Sequence, residues 1–329
     1  MGTKLQTDET ILDPDLKVRP AQWADVNAVA GLILDVCTND GDPTVAQSSE
    51  ELENEWKSPG FTLETDAFVV ETSDGRIVGY EEFYNSYVHA DLRGDGYVHP
   101  NFMGCGIGTA MLRALETRAR QEMELAEPEL RVFIRNAMAF GDTVGREMHE
   151  NEGYKPVRFN WRMEITLDGT RSMPKFPAGI EIRPFEPEHD LALYKAHEEA
   201  FSDHWGHTPG TYEEWAHHNE NRERSLWYIA WDEDQIAGYS LCRIRNGIGW
   251  VGSLGVRRPW RKQGLGEALL LHSFAEFHKS GQNVIGLGVD AENPTGATRL
   301  YQKVGMHTAA EYVFYEKELR PGREPEGQE

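Results

Sequence analysis

A basic stretch in the second half of the chain has the residue types of an anion-binding loop. Residues Arg257–Gly266, RRPWRKQGLG, carry four cations in ten positions and include two glycines, although the whole chain has a net charge of −22. Glycine lets the backbone approach a ligand closely, and the free N–H groups at a helix start attract phosphate. The next segment has a helical pattern, with Leu270, Phe274 and Phe277 on one face and Gly281 as its stop signal. The sequence therefore predicts a strand, a glycine loop and a helix that together bind a phosphate-bearing ligand.

Two common nucleotide motifs do not fit this loop. A Walker loop requires Gly-Lys-Ser/Thr, and Glu267 follows Gly266 here. A dinucleotide fingerprint requires a third glycine at the position of Leu269. Both alternatives are therefore disfavoured, and another kind of phosphate-bearing ligand is expected.

The composition limits the other classes of function. A chain of 329 residues, 39% of them hydrophobic, fits two domains of about 150 residues each. A pI near 5.0 disfavours non-specific nucleic-acid binding, and no apolar run approaches the roughly 20 residues of a membrane helix. The isolated cysteines Cys37, Cys105 and Cys242 suggest neither a disulfide framework nor a metal site. We expect a cytoplasmic protein, monomer or homodimer, that binds no metal, nucleic acid or membrane.

The two halves of the chain repeat one pattern. Each has a strand ending in Arg-Pro, a helix, a hairpin whose second strand carries Gly-Tyr, a glycine loop and a final strand. Equivalent residues lie 152 to 164 positions apart, as in the pairs Arg19/Arg183 and Gly153/Gly305. The sequence therefore predicts an internal duplication. A segment rich in Gly, Pro and Ser at 167–179 would join domain 1–170 to domain 171–329.

Two motifs in order resemble a known family. Residues Arg261–Gly266, RKQGLG, resemble the R/Q-x-x-G-x-G/A signature of the GNAT superfamily of acetyl-CoA-dependent N-acyltransferases. Downstream, NVIGLGVDAENPTGATRLYQKVGMH resembles the family segment of strand, Asn, helix and "LY". The arrangement is similar to that of mycothiol-synthase-like tandem acetyltransferases. The resemblance implies an α+β fold, three-layer α/β/α, with two tandem GNAT domains. Each domain would be a mixed, mostly antiparallel sheet flanked by helices.

The resemblance also implies a coenzyme A site in the second repeat. The backbone N–H groups of the glycine loop, with its two cations, would bind the pyrophosphate of acetyl-CoA. The N–H groups of one strand would bind the pantetheine or thioester carbonyl and stabilise its developing negative charge. The residues concerned are Arg261, Lys262, Gln263, Gly264, Leu265 and Gly266 in the loop, and Leu254 and Val256 on the strand. Arg257 and Arg258 would lie near the 3′-phosphate or on the surface.

The resemblance implies functional roles for two further residues, and the local sequence pattern also allows a purely structural role for each. Asn293 would contact the coenzyme arm, and it could equally be a helix cap. Tyr301 would protonate the departing coenzyme A thiolate, since a phenol of pKa ~10 can donate to a nearby, desolvated thiolate. Its position on an apolar helical stripe also allows a role in the core.

The general base is less defined by sequence. Glu199, Asp203 and His204 lie in the segment between the first two helices of the second repeat, which is the family's substrate-side loop. They are candidates for binding or deprotonating an amine, with a polar surface loop as the alternative.

The first repeat departs from the family pattern. Met103 stands at the position of Arg261, and His149 stands at that of Tyr301. Gly104, Gly106 and Gly108 remain, so this loop could be a second, weak coenzyme A site. We therefore expect a degenerate N-terminal domain.

Together these features predict an acetyl-CoA-dependent N-acetyltransferase whose C-terminal domain acetylates an amine of a small molecule or peptide. By resemblance, the acceptor of a mycothiol-synthase-like enzyme would be a cysteinyl amino-sugar conjugate; aminoglycosides, other small amines and peptide N-termini stay open. The alternative is a non-catalytic coenzyme A-binding regulatory or scaffold protein.

Overall fold

The chain folds into two compact units, each of which contains parts of both sequence repeats. The computed structural model describes residues 12–169, 173–220, 222–293 and 295–325. The first unit combines the residues up to Phe159 with the segment from Tyr312, and the second unit spans Asn160–Glu311.

The first unit is built on a mixed sheet. Its strand order is β1-β2-β3-β4-β5-β12. Neighbouring strands are antiparallel except β4 and β5, which are parallel. Its elements are β1 Leu16–Pro20, α1 Val26–Asn39, α2 Ser49–Trp56, α3 Leu63–Asp66, β2 Ala67–Thr72, β3 Ile77–Tyr87, β4 Asp91–Val98, α4 Ile107–Met123, β5 Val132–Ala139, α5 Thr143–Asn151 and, from Tyr312 onward, β12 His307–Arg320.

The second unit repeats this plan. Its strand order is β7-β8-β9-β10-β11-β6, and β10 and β11 form the parallel pair. Its elements are, from Asn160 onward, β6 Lys155–Thr166, then β7 Ile180–Pro184, α6 Asp190–Phe201, α7 Tyr212–Asn219, β8 Trp227–Asp232, β9 Gln235–Arg245, β10 Ile248–Val256, α8 Leu265–Lys279, β11 Val284–Asp290 and α9 Ala297–Lys303.

The last strand of each repeat completes the sheet of the other unit. Strand β6 pairs with β11, from Asn160 opposite Asp290 to Thr166 opposite Val284. Strand β12 pairs with β5, beginning with Tyr312 opposite Ala139. The compact units therefore differ from the contiguous ranges 1–170 and 171–329 at these strands. The alternation of apolar residues predicts a strand but does not say which sheet edge it joins.

Helices cover both faces of the second sheet. Along β9, a Cβ at Gly238 would lie 3.1 Å from Leu269 of α8. The next residue, Tyr239, contacts His197 of α6 instead. Because successive side chains of a strand point to opposite faces, α6 and α8 lie on opposite sides of the sheet. This is the predicted three-layer arrangement. None of the helices in the described ranges is long and apolar enough to cross a membrane.

The parallel strands of the second unit separate after a short contact. They pair at Gly249 with Ile285 and at Trp250 with Gly286. Further along β10, the register with β9 shifts between Val251 and Ser253, which is a β-bulge at Gly252. Beyond this bulge β10 continues beside β9 alone, so its other edge is open where the coenzyme arm is expected.

Candidate active site

The glycine loop of the second unit presents a row of free backbone donors. Gly264 precedes α8 with a φ of +85°, and Lys262 has a φ of +61°, both in the left-handed region. In the described part of the chain, no backbone N–H from Lys262 to Gly266 donates to another group. A Cβ at Gly264 would meet nothing within 4 Å, so the space in front of this turn is open. Five free donors at a helix N-terminus form the anion-binding geometry that the sequence predicts.

The open edge of β10 supplies further donors. The N–H of Arg257 donates to Ala237 O on β9 at 3.0 Å. Since the direction of the N–H groups alternates along a strand, the N–H groups of Leu254 and Val256 point away from β9. They therefore face the side on which β11 has diverged, where the family resemblance implies the pantetheine arm.

The arginines of the loop are held by the protein. The Arg261 guanidinium donates to Val256 O at 3.0 Å, to Ala200 O at 3.0 Å and to Asp203 Oδ2 at 2.7 Å. Arg258 forms an ion pair with Asp203 at 2.6 Å. Arg257 pairs with Glu199 at 2.7 Å and also donates to Ile236 O. These arginines fix the loop against the end of α6.

Lys262 remains as the cation nearest the open turn. Its side chain is exposed and forms no ion pair with any described residue. Gln263 turns its amide back to donate to Pro259 O at 3.0 Å, so its backbone N–H is the part that faces the ligand space. The distribution of charge in the loop is therefore one available ammonium beside five free N–H groups.

The acidic candidates for a general base have structural partners. The hydrogen bonds from Arg258 and Arg261 lower the pKa of Asp203 to about 2, which makes this carboxylate a poor proton acceptor at neutral pH. Glu199 is engaged by Arg257. These ion pairs disfavour Glu199 and Asp203 as bases. His204 packs against Phe201, with ring centroids 4.4 Å apart, and burial lowers its pKa.

Tyr301 lies in the core of the second unit, and the residue is 7% exposed. Burial raises the pKa of this phenol to about 12, and its hydroxyl forms no hydrogen bond with a described residue. A Cβ at Gly266 would lie 3.6 Å from Val256 Cγ2 and 3.7 Å from Leu300 Cδ2. The helix that carries Tyr301 therefore lies beside Gly266 of the glycine loop, which also adjoins the end of β10.

Asn293 is not the cap of α9. Gly296, with a φ of +81°, occupies that position. The side-chain oxygen of Asn293 instead accepts from the Thr295 N–H at 2.9 Å, and its own N–H donates to Asp290 O. Asn293 therefore stabilises the turn that precedes α9, and Gly296 takes the N-cap position.

The first unit has the same glycine loop with different side chains. Gly104 and Gly106 have φ values of +81° and +80°, so the backbone turn is that of the second unit. The N–H of Cys105, however, donates to Phe102 O at 3.4 Å, and Met103 supplies no charge. This loop therefore has fewer free N–H donors than the loop of the second unit, and Gly104 stands where Lys262 supplies its charge.

His149 occupies the place of Tyr301 in the first unit. Its Nδ1 lies 2.8 Å from Gly145 O, a carbonyl that can only accept, so Nδ1 carries the proton. Burial lowers the pKa of the imidazole, and the buried Nε2 has no partner among the described residues. A neutral ring whose proton is already bonded to the backbone is a poor proton donor.

Sequence reasoning missed a polar group on the opposite face of the second sheet. Tyr239 Oη lies 3.0 Å from His197 Nδ1, and Ser253 Oγ lies 3.5 Å from the same nitrogen. Both β-hairpins carry Gly-Tyr in their second strand, which was the available signal for Tyr239. His197 gave none, because its partners are more than 40 residues away.

Comparisons with known proteins agree with this architecture. Residues 191–306 match the family model described as Acetyltransferase (GNAT) family, and residues 64–155 match Acetyltransferase (GNAT) domain. Within the described ranges, no group of three or more His, Cys, Asp or Glu side chains could hold a metal ion.

Individual relatives extend the likeness to both repeats. A solved GCN5-related N-acetyltransferase from Sphaerobacter thermophilus is 37% identical, with a TM-score of 0.80 over 95% of this chain and 99% of its own. A mycothiol acetyltransferase from Kineococcus radiotolerans is 30% identical over 75% of this chain and 80% of its own. A tandem GNAT protein from the clavulanic acid biosynthesis pathway shares the fold, with a TM-score of 0.71 and 16% identity over 93% of this chain and 99% of its own.

Proposed function

Because this chain belongs to the GNAT family of acetyltransferases, we propose that its second unit transfers the acetyl group of acetyl-CoA to the amine of a small molecule or peptide. The observation that carries this proposal is the row of free N–H groups from Lys262 to Gly266 in front of an open turn. The first unit, without the cation and the phenol, is a degenerate copy that supports the second.

The residues present fit coenzyme A. The N–H groups of the loop bind the pyrophosphate, and Lys262 adds a positive charge beside it. The arginines position the loop, since Arg261 donates hydrogen bonds to Val256 O on β10 and to Ala200 O at the end of α6. When bound, acetyl-CoA supplies the thioester that is transferred.

The open edge of β10 donates hydrogen bonds to the thioester carbonyl. The N–H groups of Leu254 and Val256 lie on a strand, so they are directed at a fixed position before the reaction begins. Such preorganised donors stabilise negative charge that develops on oxygen, and the loss of one donor in a comparable site costs about 3 to 4 kcal/mol.

Tyr301 holds the proton for the leaving group. With a pKa of about 12 it is fully protonated at neutral pH. Desolvation also raises the proton affinity of a thiolate beside the phenol, which favours transfer of a proton to the sulfur. Tyr301 therefore gives its proton to the coenzyme A sulfur as the C–S bond breaks.

The names of the relatives guide the choice of the first acceptor to test. Several of them are described as mycothiol acetyltransferases, at 25 to 30% identity, and we propose a cysteinyl amino-sugar conjugate as the first acceptor to test. The test is incubation with acetyl-CoA and cysteinyl-glucosamine, glucosamine, an aminoglycoside or a peptide, with the acetylated product identified by mass spectrometry. Absence of product from every amine, with acetyl-CoA still bound, would favour a non-catalytic coenzyme A-binding protein.

Asp203→Asn distinguishes a structural carboxylate from a general base. We expect kcat to stay within about threefold of the wild type, because Asp203 acts through Arg258 and Arg261 and its low pKa makes it a poor base. Loss of a general base would instead lower kcat about 10²- to 10⁴-fold. Steady-state kinetics with saturating acetyl-CoA decide between the two roles, and Asp190→Asn, at the first residue of α6, is a control.

A further inference from the structure

We propose that His197 selects the acceptor of the second unit, because its Nε2–H donates a hydrogen bond to an uncharged oxygen beside the amine that is acetylated. This inference rests on the proposed function, since it names the class of acceptor for the same site. The ring stays neutral and transfers no proton. The favoured acceptors are amines next to a carbonyl or a hydroxyl group, and the disfavoured ones are simple alkylamines and polyamines.

His197 lies beside the part of β10 that is proposed to bind the thioester. Its Nδ1 is 3.5 Å from Ser253 Oγ, and Ser253 stands between the β-bulge at Gly252 and the proposed thioester donor Leu254. Leu254 and Val256 pack with residues of α8, so Ser253 faces α6. The imidazole is therefore on the α6 face of the sheet, next to the residue that precedes the first thioester donor.

Three aromatic rings fix the imidazole of His197. Phe201 stacks on it, with ring centroids 4.6 Å apart and an interplanar angle of 21°. Trp215 of α7 lies 4.9 Å away and Tyr239 of β9 lies 5.9 Å away. These contacts come from three elements and leave the ring little freedom. The directions of its two nitrogens are thus set before an acceptor binds, which is the preorganisation that specific recognition requires.

Tyr239 determines which nitrogen of His197 carries the hydrogen. Its hydroxyl is buried and lies 3.0 Å from Nδ1, its only hydrogen bond within the described ranges. A buried phenol hydrogen without an acceptor is costly, so the phenol donates and Nδ1 accepts. Burial lowers the pKa of His197 to about 4, and the neutral ring has a single N–H. That hydrogen is therefore on Nε2.

The first unit shows why the phenol depends on this imidazole. Tyr80 is the equivalent of Tyr239 and donates its hydrogen to Glu82. In the second unit Leu241 stands at the position of Glu82. Tyr239 therefore has no carboxylate at that position to donate to, and His197 takes the place of the acceptor.

The Nε2–H of His197 is available to a ligand. The residue is half-buried. This nitrogen has no partner among the described residues, and it is not one of their buried unpartnered polar atoms, so it is open to solvent. The second unit thus presents a fixed hydrogen-bond donor on the α6 face, beside the proposed thioester site.

The groups that shift the pKa of His197 are other imidazoles. Burial lowers this pKa most, and His207 and His204 in the segment after α6 lower it further. His218 of α7 also lies close to His197, and burial together with two nearby arginines lowers the pKa of His218 to about 4. None of these groups is a counter-ion for an ammonium.

The carboxylates of the same region are already engaged. Glu198 lies 3.6 Å from His207 Nε2 and accepts from the Gly210 N–H at 3.3 Å. Glu199 and Asp203 form ion pairs with arginines. A second ammonium group of an acceptor would lose water here without gaining a counter-ion, which is costly. A carbonyl or hydroxyl oxygen, in contrast, gains a hydrogen bond from Nε2–H.

This arrangement orders the candidate acceptors. The α-amine of a cysteinyl conjugate or of a peptide has an amide carbonyl on the neighbouring carbon, and this carbonyl accepts the hydrogen bond from His197. An aminoglycoside carries several ammonium groups, which find no partner beside the imidazole. We therefore expect cysteinyl and peptide amines to be better acceptors than aminoglycosides.

The first test needs no acceptor. Nitrogen-15 NMR of the imidazoles in the intact protein, with His197→Gln used to assign the signal, reports which ring nitrogen carries the hydrogen. We expect hydrogen on Nε2 and a bare Nδ1. A hydrogen on Nδ1 of the neutral ring would overturn the proposal, whether or not the protein acetylates amines.

The second test compares two acceptors, cysteinamide and 2-aminopropane-1-thiol, which carries a methyl group in place of the carboxamide. The measured quantity is the ratio of their kcat/KM values at saturating acetyl-CoA, with the N-acetylated products identified by mass spectrometry. In His197→Phe this ratio should fall about tenfold, as expected for one lost hydrogen bond. The difference in amine pKa, and any general loss of activity, affect each ratio equally and cancel. An unchanged ratio would contradict the proposal.

Two further variants sharpen this comparison. His197→Gln retains an N–H donor and should keep the ratio within about threefold of the wild type. His272→Phe is the matched control, since His272 is a buried imidazole of α8, on the opposite face of the sheet, and its loss should leave the ratio unchanged. A wild-type protein that binds acetyl-CoA but acetylates neither amine would count against the proposed function, and the NMR result would still decide the state of the donor.

Discussion

Gly264→Val is expected to abolish acetyl-CoA binding. Gly264 has a φ of +85°, a conformation that a β-branched residue adopts only at a cost of about 1–3 kcal/mol. No atom lies within 4 Å of its Cβ position, so the new side chain would project into the open space where the pyrophosphate is proposed to bind. Calorimetric titration with acetyl-CoA should show one equivalent bound to the wild type and none to the variant.

The matched control is Gly106→Val. Gly106 precedes α4 in the same backbone conformation, with a φ of +80°, so the intrinsic cost to the fold is comparable. We expect this variant to bind one equivalent as the wild type does. Two equivalents in the wild type, with one surviving in Gly264→Val, would show that the first unit is a working site. Loss of turnover in Gly106→Val while the second site keeps its ligand would also contradict the degenerate assignment.

Tyr301→Phe is expected to lower kcat about 10²- to 10³-fold without weakening acetyl-CoA binding. The substitution removes only the hydroxyl, which has no hydrogen-bond partner among the described residues, so the core around it should not be disturbed. The lost proton donor raises the barrier to departure of the thiolate, and general acids typically contribute 10² to 10⁴ in rate. Steady-state kinetics and a calorimetric titration on the same preparation measure the two quantities.

His149→Phe provides the comparison for this result. His149 holds the equivalent position of the first unit and is equally buried, but its proton is bonded to Gly145 O. We expect kcat to remain near the wild-type value, with a loss in thermal stability where the ring contacts change. Should Tyr301→Phe keep full activity at saturating acetyl-CoA, the phenol is a core residue and another group protonates the sulfur.

Local patterns allowed the glycine loop to be predicted in detail. The backbone N–H groups are free because a short glycine loop ends at the start of a helix. The glycines of the loop and the apolar pattern of the helix are both visible in the sequence. The pattern Leu270, Phe274 and Phe277 likewise predicts α8, whose C-terminal turn is followed by Gly281 with a φ of +85°. Such features depend on residues a few positions apart, which is the range over which sequence patterns are informative.

Contacts across the fold could not be predicted in this way. Arg261 and Asp203 are separated by 58 positions and meet only because the end of α6 lies against the glycine loop. As a result, a cation predicted to lie near phosphate and an acid that is a candidate for binding substrate form an ion pair with each other. His197 was likewise hidden, because an isolated histidine on a helix gives no sign of the strand residues that it will face.

The exchange of β6 and β12 affects how this chain is made. During translation the first sheet has no partner for β5 until the ribosome has released the residues up to Arg320, nearly the whole chain. Strand β11, in contrast, finds β6 already synthesised. The first unit must therefore wait with an unprotected strand edge, a state prone to aggregation, while the second can close earlier. A gene divided after residue 170 would give two fragments, each without the strand that completes its sheet.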